Sequence, residues 1–305
     1  MVGTGYRDGV RRDDFCGAAD LRAMQAMCSR LWSPTSRFHP GQLTWNRYSQ
    51  PVDSSGTAPG EVISLWRDGS SVVGFGWGEA PDWLEAQVDP AYPGVADEVV
   101  ECFEEWSDAP SQSAVVMEGD LLGRPLAAAG FEPRRGEPYL RHHLLDLRTI
   151  PDVPVVGRYR LRHVEAHEAA ERAACHAASW SDVSPSSVTA GAYAVLMAAW
   201  PYRADLDWVA VDPAGEMVAS CLVWPDPATG VGLVEPVGCA PAHRGRGLAG
   251  AVTLAALHRL RAVGGRLAVV SPRGDPGYPG PQRLYQALGF RPVARTVTWR
   301  RSLPG

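Results

Sequence analysis

Glu235-Pro-Val-Gly-Cys-Ala-Pro-Ala-His-Arg-Gly-Arg-Gly-Leu-Ala249 is the stretch in which residue types and spacing point most directly to chemistry. Alternation over Val231–Cys239 predicts a strand, and the apolar run Leu248–Val263 predicts a helix. Between them Arg244-Gly245-Arg246-Gly247 has to turn the chain. A helix entered this way exposes first-turn N–H groups that have no intrahelical acceptor, at the positive end of its dipole. Glycines let an anion approach the backbone without a Cβ in the way, and two arginines add charge. The combination suits a pyrophosphate. It is not a Walker loop, because all 29 basic residues are arginine and GxxxxGK[ST] is absent. We read it as distinct from the dinucleotide-binding fingerprint too, on the reading that GxGxxG is absent. Strict alternation would put Glu235, Val237 and Cys239 on one face of the strand. With no histidine beside it, the Cys239 side chain reads as packing, not as a nucleophile.

The loop resembles motif A of the GCN5-related N-acetyltransferases, (Gln/Arg)-x-x-Gly-x-(Gly/Ala), which Arg244-x-x-Gly247-x-Ala249 fits. Downstream, Leu284-Tyr285-Gln-Ala-Leu-Gly289-Phe290 resembles that family's LYxxxGF segment. Order and spacing cover nearly all of the second half; the Pro- and Gly-rich stretch Ser271–Gly280 departs from the pattern. The resemblance implies a mixed, mostly antiparallel α/β sheet flanked by helices. It also implies an enzyme that moves an acetyl group from acetyl-CoA to a small-molecule amine by direct attack. Val237, Gly238 and Cys239 would hold the pantetheine arm and acyl carbonyl, with the Cys239 N–H as oxyanion donor. Arg244, Gly245, Arg246, Gly247, Leu248 and Ala249 would hold the pyrophosphate. By the same resemblance Tyr285 is the acid for the departing thiolate and Glu235 the base for the amine, and no metal is needed.

Elements that could position these groups are legible twice. The segment Arg148–Gly157, with two prolines, reads as a linker between unit 1–150 and unit 151–305. Each half follows a similar order of strands and helices and ends in a last strand pair. Val88-Asp-Pro-Ala-Tyr-Pro-Gly94 lines up with Cys239-Ala-Pro-Ala-His-Arg-Gly245, and Ala127-Ala-Ala-Gly-Phe-Glu-Pro133 with Gln286-Ala-Leu-Gly-Phe-Arg-Pro292. In the first copy the arginines are missing, Asp97 and Glu98 fall where a pyrophosphate would sit, and Leu126 replaces Tyr285. That unit is expected to bind no cofactor, and to be structural or to wall one side of the acceptor cleft. His142-His143 reads as surface. Trp180, Trp200, Tyr202, Trp208 and Trp224 fall where an acceptor wall is expected, with packing in the core as the alternative for each.

Composition bounds the rest. The 305 residues suit two domains, and 45% apolar with 21% charged residues excludes a disordered chain, a fibre or a coiled coil. Residues 1–150 carry 13 Arg against 22 Asp+Glu (−9), and residues 151–305 carry 16 against 12 (+4). Either two solvated surfaces have drifted apart in charge or only the second half handles an anion. The acidic first half and the intact loop argue against a transferase that uses aminoacyl-tRNA, and the presence of Tyr285 argues against a non-catalytic CoA-binding module. Six scattered cysteines, a polar start from Met1 to Cys16 and no long apolar run lead us to expect a cytoplasmic protein with no membrane partner.

Overall fold

Alternating strands and amphipathic helices build the same succession twice. The computed structural model describes residues 9–49, 60–79, 82–107 and 109–302. Its first half runs β1 (Val10–Asp14), α1 (Ala18–Leu31), α2 (Pro40–Tyr48), β2 (Val62–Asp68), β3 (Ser71–Glu79), β4 (Trp83–Val88), α3 (Val95–Trp106), β5 (Ser111–Met117), α4 (Gly123–Ala128), β6 (Glu132–Pro133) and β7 (Arg141–Asp146). The second half runs β8 (Arg160–His163), α5 (Ala169–Trp180), α6 (Ala190–Ala198), β9 (Asp207–Val211), β10 (Met217–Asp226), β11 (Val231–Cys239), α7 (Leu248–Ala262), β12 (Leu267–Val270), α8 (Gly280–Ala287) and β13 (Arg291–Ser302). Arg7 and Asp8 of the polar start lie outside the described residues. An exposed extended segment, Pro151–Val155, joins the halves.

The internal repeat is visible at hydrogen-bond level. After α4 the Phe131 N–H donates to the Leu126 carbonyl at 2.9 Å, and after α8 the Phe290 N–H donates to the Tyr285 carbonyl at 3.0 Å. Gly130 and Gly289 make both turns at positive φ, 82° and 95°.

Among the described residues all thirteen strands join one sheet, in the order β1-β2-β3-β4-β5-β13-β7-β12-β11-β10-β9-β8, with β6 paired to β13. Among these strands only β4–β5 and β11–β12 are parallel pairs. This is the mixed, mostly antiparallel sheet flanked by helices that the sequence led us to expect. The closing strands, however, do not stay with their own halves. β7, from the first half, pairs with β12 from Leu267↔Asp146 to Val270↔His143. β13, from the second half, pairs first with β7 and then, from Thr296↔Met117 to Ser302↔Ser111, with β5. Each half therefore completes the other's sheet across the linker. Alternation shows which face of a strand is buried but does not select its neighbour.

The exchange corrects one expectation. His142 and His143 are buried, at 3% and 0% exposure, because β7 is a central strand and not the rim of the first half. The helices follow the same interlocked plan. α3 covers β3 and β4 with Val95, Val99 and Phe103, and α7 covers β9 to β11 with Leu248, Val252 and Leu257. α2 crosses to the second half, where Trp45 and Tyr48 pack on the cluster around Trp224. A Cβ on Gly41 would stand 2.1 Å from the Trp224 Cβ, so only glycine lets α2 sit this close to β10.

Candidate functional site

The turn from β11 into α7 holds its two glycines in the left-handed region, Gly245 at φ 76° and Gly247 at φ 75°, with Gly247 as N-cap. The N–H groups of Leu248, Ala249 and Gly250 have no acceptor among the described residues. No acidic side chain lies in the first turn. Arg244 is committed to the protein: it pairs with Asp182 at 2.6 and 2.9 Å and donates to the carbonyls of Ser179 (2.9 Å) and Cys239 (3.0 Å). It thus staples the loop to the end of α5. Arg246 is exposed and donates to the Ala242 carbonyl at 2.5 Å. His243 is half-buried, its Nδ1 3.0 Å from the Tyr159 hydroxyl.

Beside the loop the two parallel strands diverge. β11 meets β12 only through Val231–Leu233 against Leu267–Val269, yet continues to Cys239 paired with β10 alone. The edge of β11 from Val234 onward is therefore open to a ligand's hydrogen bonds. A β-bulge interrupts the same strand. Val223 pairs with Val234 and Cys221 with Val237, which leaves two residues, Glu235 and Pro236, opposite the single residue Leu222. The strict alternation that aligns Glu235 with Val237 and Cys239 is broken here, and Val234 joins the same core cluster against which Val237 and Cys239 pack. The buried Trp224 indole donates to the Glu235 carbonyl at 2.7 Å and pins the bulge.

The charge of Glu235 is felt at the Tyr285 phenol. Burial raises the Glu235 carboxyl to about 7; Arg37 pulls against that rise and Glu85 adds to it. The Tyr285 phenol is 6% exposed and pushed well up by burial, then by Cys221 and Glu235. It stays protonated across the physiological range. Cys239 is half-buried and burial raises its thiol too, against the pull of Arg244, which fits a packing role.

Arg37 and Glu85, an ion pair from the first half, went unnoticed in the sequence, where neither belongs to any pattern. His142, whose pKa burial lowers to about 4 with help from Arg37, joins them from β7. Of the expected aromatic wall, Trp180 adjoins the open strand; a Cβ on Gly238 would lie 2.3 Å from its ring. Trp224 is core, and Tyr202 and Trp208 bond to Asp207 and the Asp205 carbonyl. Trp200 lies 3.4 Å beneath the Arg22 guanidinium. A further correction concerns spelling. Gly245-Arg-Gly247-Leu-Ala-Gly250 does contain GxGxxG. What separates it from a dinucleotide site is the absence of an acidic residue at the end of β12, where Ser271 stands, and the antiparallel strands on the far sides of β11 and β12. Among the described residues no group of His, Cys, Asp and Glu is arranged to hold a metal ion, and no helix is long and apolar enough to cross a membrane.

Comparison with known proteins bears on the same region. Residues 177–290 match the acetyltransferase (GNAT) family model. No curated protein matches the chain. Among solved structures, a tandem GNAT protein from the clavulanic acid biosynthesis pathway superposes with a TM-score of 0.63 at 18% identity, covering 97% of this chain and 99% of that one. A GCN5-related N-acetyltransferase from Sphaerobacter thermophilus gives 0.60 at 19%, covering 98% of each chain. A GNAT-family acetyltransferase from Colwellia psychrerythraea gives 0.58 at 15%, covering 95% and 99%. At these identities the likeness is one of fold. The family model thus matches residues 177–290, and the fold is similar along nearly the whole chain to that of a tandem GNAT protein.

Proposed function

We propose that residues 151–305 form an acyl-CoA-dependent N-acyltransferase that acetylates a small-molecule amine, and that residues 1–150 form a companion unit that binds no cofactor. The observation that carries this reading is the left-handed Gly245/Gly247 turn, whose uncommitted amides lie beside the open edge of β11. That arrangement fits a pyrophosphate followed by an extended amide-bearing arm. Acetyl-CoA supplies the acyl thioester when bound. Leu248, Ala249 and Gly250 N–H groups receive the pyrophosphate, with Arg246 at the rim. Val237 to Cys239 line the arm, and the Cys239 N–H faces the acyl oxygen.

Glu235, half ionised near neutrality, takes the amine proton as the nitrogen–carbon bond forms and the carbon–sulfur bond breaks. The Tyr285 hydroxyl gives its proton to the sulfur. Its raised pKa makes the isolated transfer uphill, so the proton on neighbouring Glu235 restores the phenol and closes the balance. Incubation with acetyl-CoA and a panel of primary amines tests the proposal. A mass gain of one acetyl group on an amine, matched by an equal release of free thiol, is the expected result. Failure of acetyl-CoA to bind in calorimetry overturns it.

A further inference from the structure

Arg37 is buried where the halves meet. Two residues on, His39 Nε2 lies 3.3 Å from the Val231 carbonyl, which ties this segment to the strand bearing Glu235. The Arg37 side chain is 4% exposed and pairs with Glu85 through Nη2. Its Nε and Nη1 have no hydrogen-bond partner among the described residues. His142 Nε2, also buried, has none either. A guanidinium has only donors, and leaving them unmet in the interior is costly. Glu235 lies within charge range of Arg37 and Glu85, so the unused donors of Arg37 stand near the proposed base.

We propose that Arg37, assisted by His142, receives a carboxylate on the acceptor, so that the acceptor is an amino acid whose ammonium gives up one proton to solvent and faces Glu235 as the free amine. This rests on the N-acyltransferase reading above and gives the first unit a direct share in substrate choice. Glu85 holds one edge of the guanidinium and fixes the orientation of the remaining donors. The positive and negative ends of the site are thus set out in the same order as the ligand's.

The test pairs the common amino acids and β-alanine with their carboxamides, with CoA present. Calorimetry is expected to show the amino acid binding and the carboxamide binding about 10- to 150-fold more weakly, the loss of a charge-assisted hydrogen bond. Arg37→Gln should abolish that preference and raise KM for the amino acid with the acetyl-CoA affinity kept, and with kcat kept at alkaline pH, where Glu235 is ionised with or without the Arg37 charge; Arg37→Lys should restore part of the preference. Because Arg37→Gln strands Glu85, the neutral pair Arg37→Met with Glu85→Gln is run beside it, with circular dichroism as the folding check. Acetylation of amines with no carboxylate preference overturns this inference and leaves the N-acyltransferase reading standing. Arg37-dependent amino-acid binding without acetyl transfer does the reverse. No amino-acid binding and no transfer overturns both.

Discussion

The two helix-entry loops make the same turn to different ends. At α7 the N-cap is Gly247 at φ 75°, and the first amides are uncommitted. At α3 the N-cap is Gly94, which the repeat aligns with Gly245, and it is right-handed at φ −64°. There the N–H groups of Val95, Ala96 and Asp97 already donate to the carbonyls of Tyr92, Pro93 and Gly94, at 3.0 to 3.2 Å. The acidic side chains of that turn are engaged as well: Asp97 with Arg124, and Glu98 with the buried Trp66 indole at 2.6 Å. A strand–loop–helix does not bind an anion by topology alone. The backbone has to keep its donors free, and the left-handed glycine does that by turning the chain before its own carbonyls can accept them.

Substitutions at matched positions should sharpen this contrast, and the largest effect is expected at the aromatic pair. Tyr285→Phe keeps the ring that packs edge-on against Phe290 at 5.7 Å and removes the hydroxyl. Turnover should fall about 100-fold or more with CoA affinity unchanged, as measured by thiol release. Leu126→Phe at the matching place should not alter turnover. Wild-type kinetics from Tyr285→Phe would reduce Tyr285 to packing.

Next in size is the loop itself. Arg246→Glu should weaken CoA binding by about 30- to 150-fold in calorimetry, since a carboxylate would then face the pyrophosphate. The wild-type titration should give one site per chain. Two equivalent sites, or protection of the 90–98 loop from hydrogen exchange on adding CoA, would break the contrast outright.

Smaller is the pH effect. Glu235 acts as base only when ionised, and its carboxyl sits at about 7. The rate should therefore fall about tenfold per unit as pH drops below 7 and level off above it. Glu235→Gln should flatten that limb, its deficit shrinking as pH rises and free amine accumulates. A wild-type acid limb centred near 4.5 would remove Glu235 from the base's role.

The smallest effect is on stability. Gly247→Ala forces a Cβ into the left-handed region and should cost about 1–2 kcal/mol in denaturant unfolding, whereas Gly94→Ala, at right-handed φ, should be near neutral. Equal costs at the two positions would mean that the turns do not differ in the way described.

What could be read from the sequence was local. Arg244–Ala249 and the apolar run after it, to Val263, lie within twenty residues, so pattern alone located the turn and its donors. The repeat likewise placed Leu126 opposite Tyr285. The cluster of Arg37, Glu85 and His142 around Glu235 was not legible, because it comes from three separate elements that only the sheet order brings together. His142-His143 was misjudged for the same reason: a polar pair on a short alternating run looks like an edge until the strand's neighbours are known. Arg244 was expected to face the ligand, yet its nearest anion is Asp182, sixty-two residues away in sequence.

The exchange of β7 and β13 has a consequence for how this protein is made. As the chain leaves the ribosome, β5 has no partner on its outer edge until β13, almost two hundred residues later, has been synthesised. β7 must likewise wait for β12. For most of translation the first half therefore carries an unsatisfied edge of consecutive apolar residues, Ala114 to Met117, open to association with another chain. A truncation before Arg291 should leave the first half aggregation-prone although all of its own helices are present. A strand made late thus seals an edge laid down well before it.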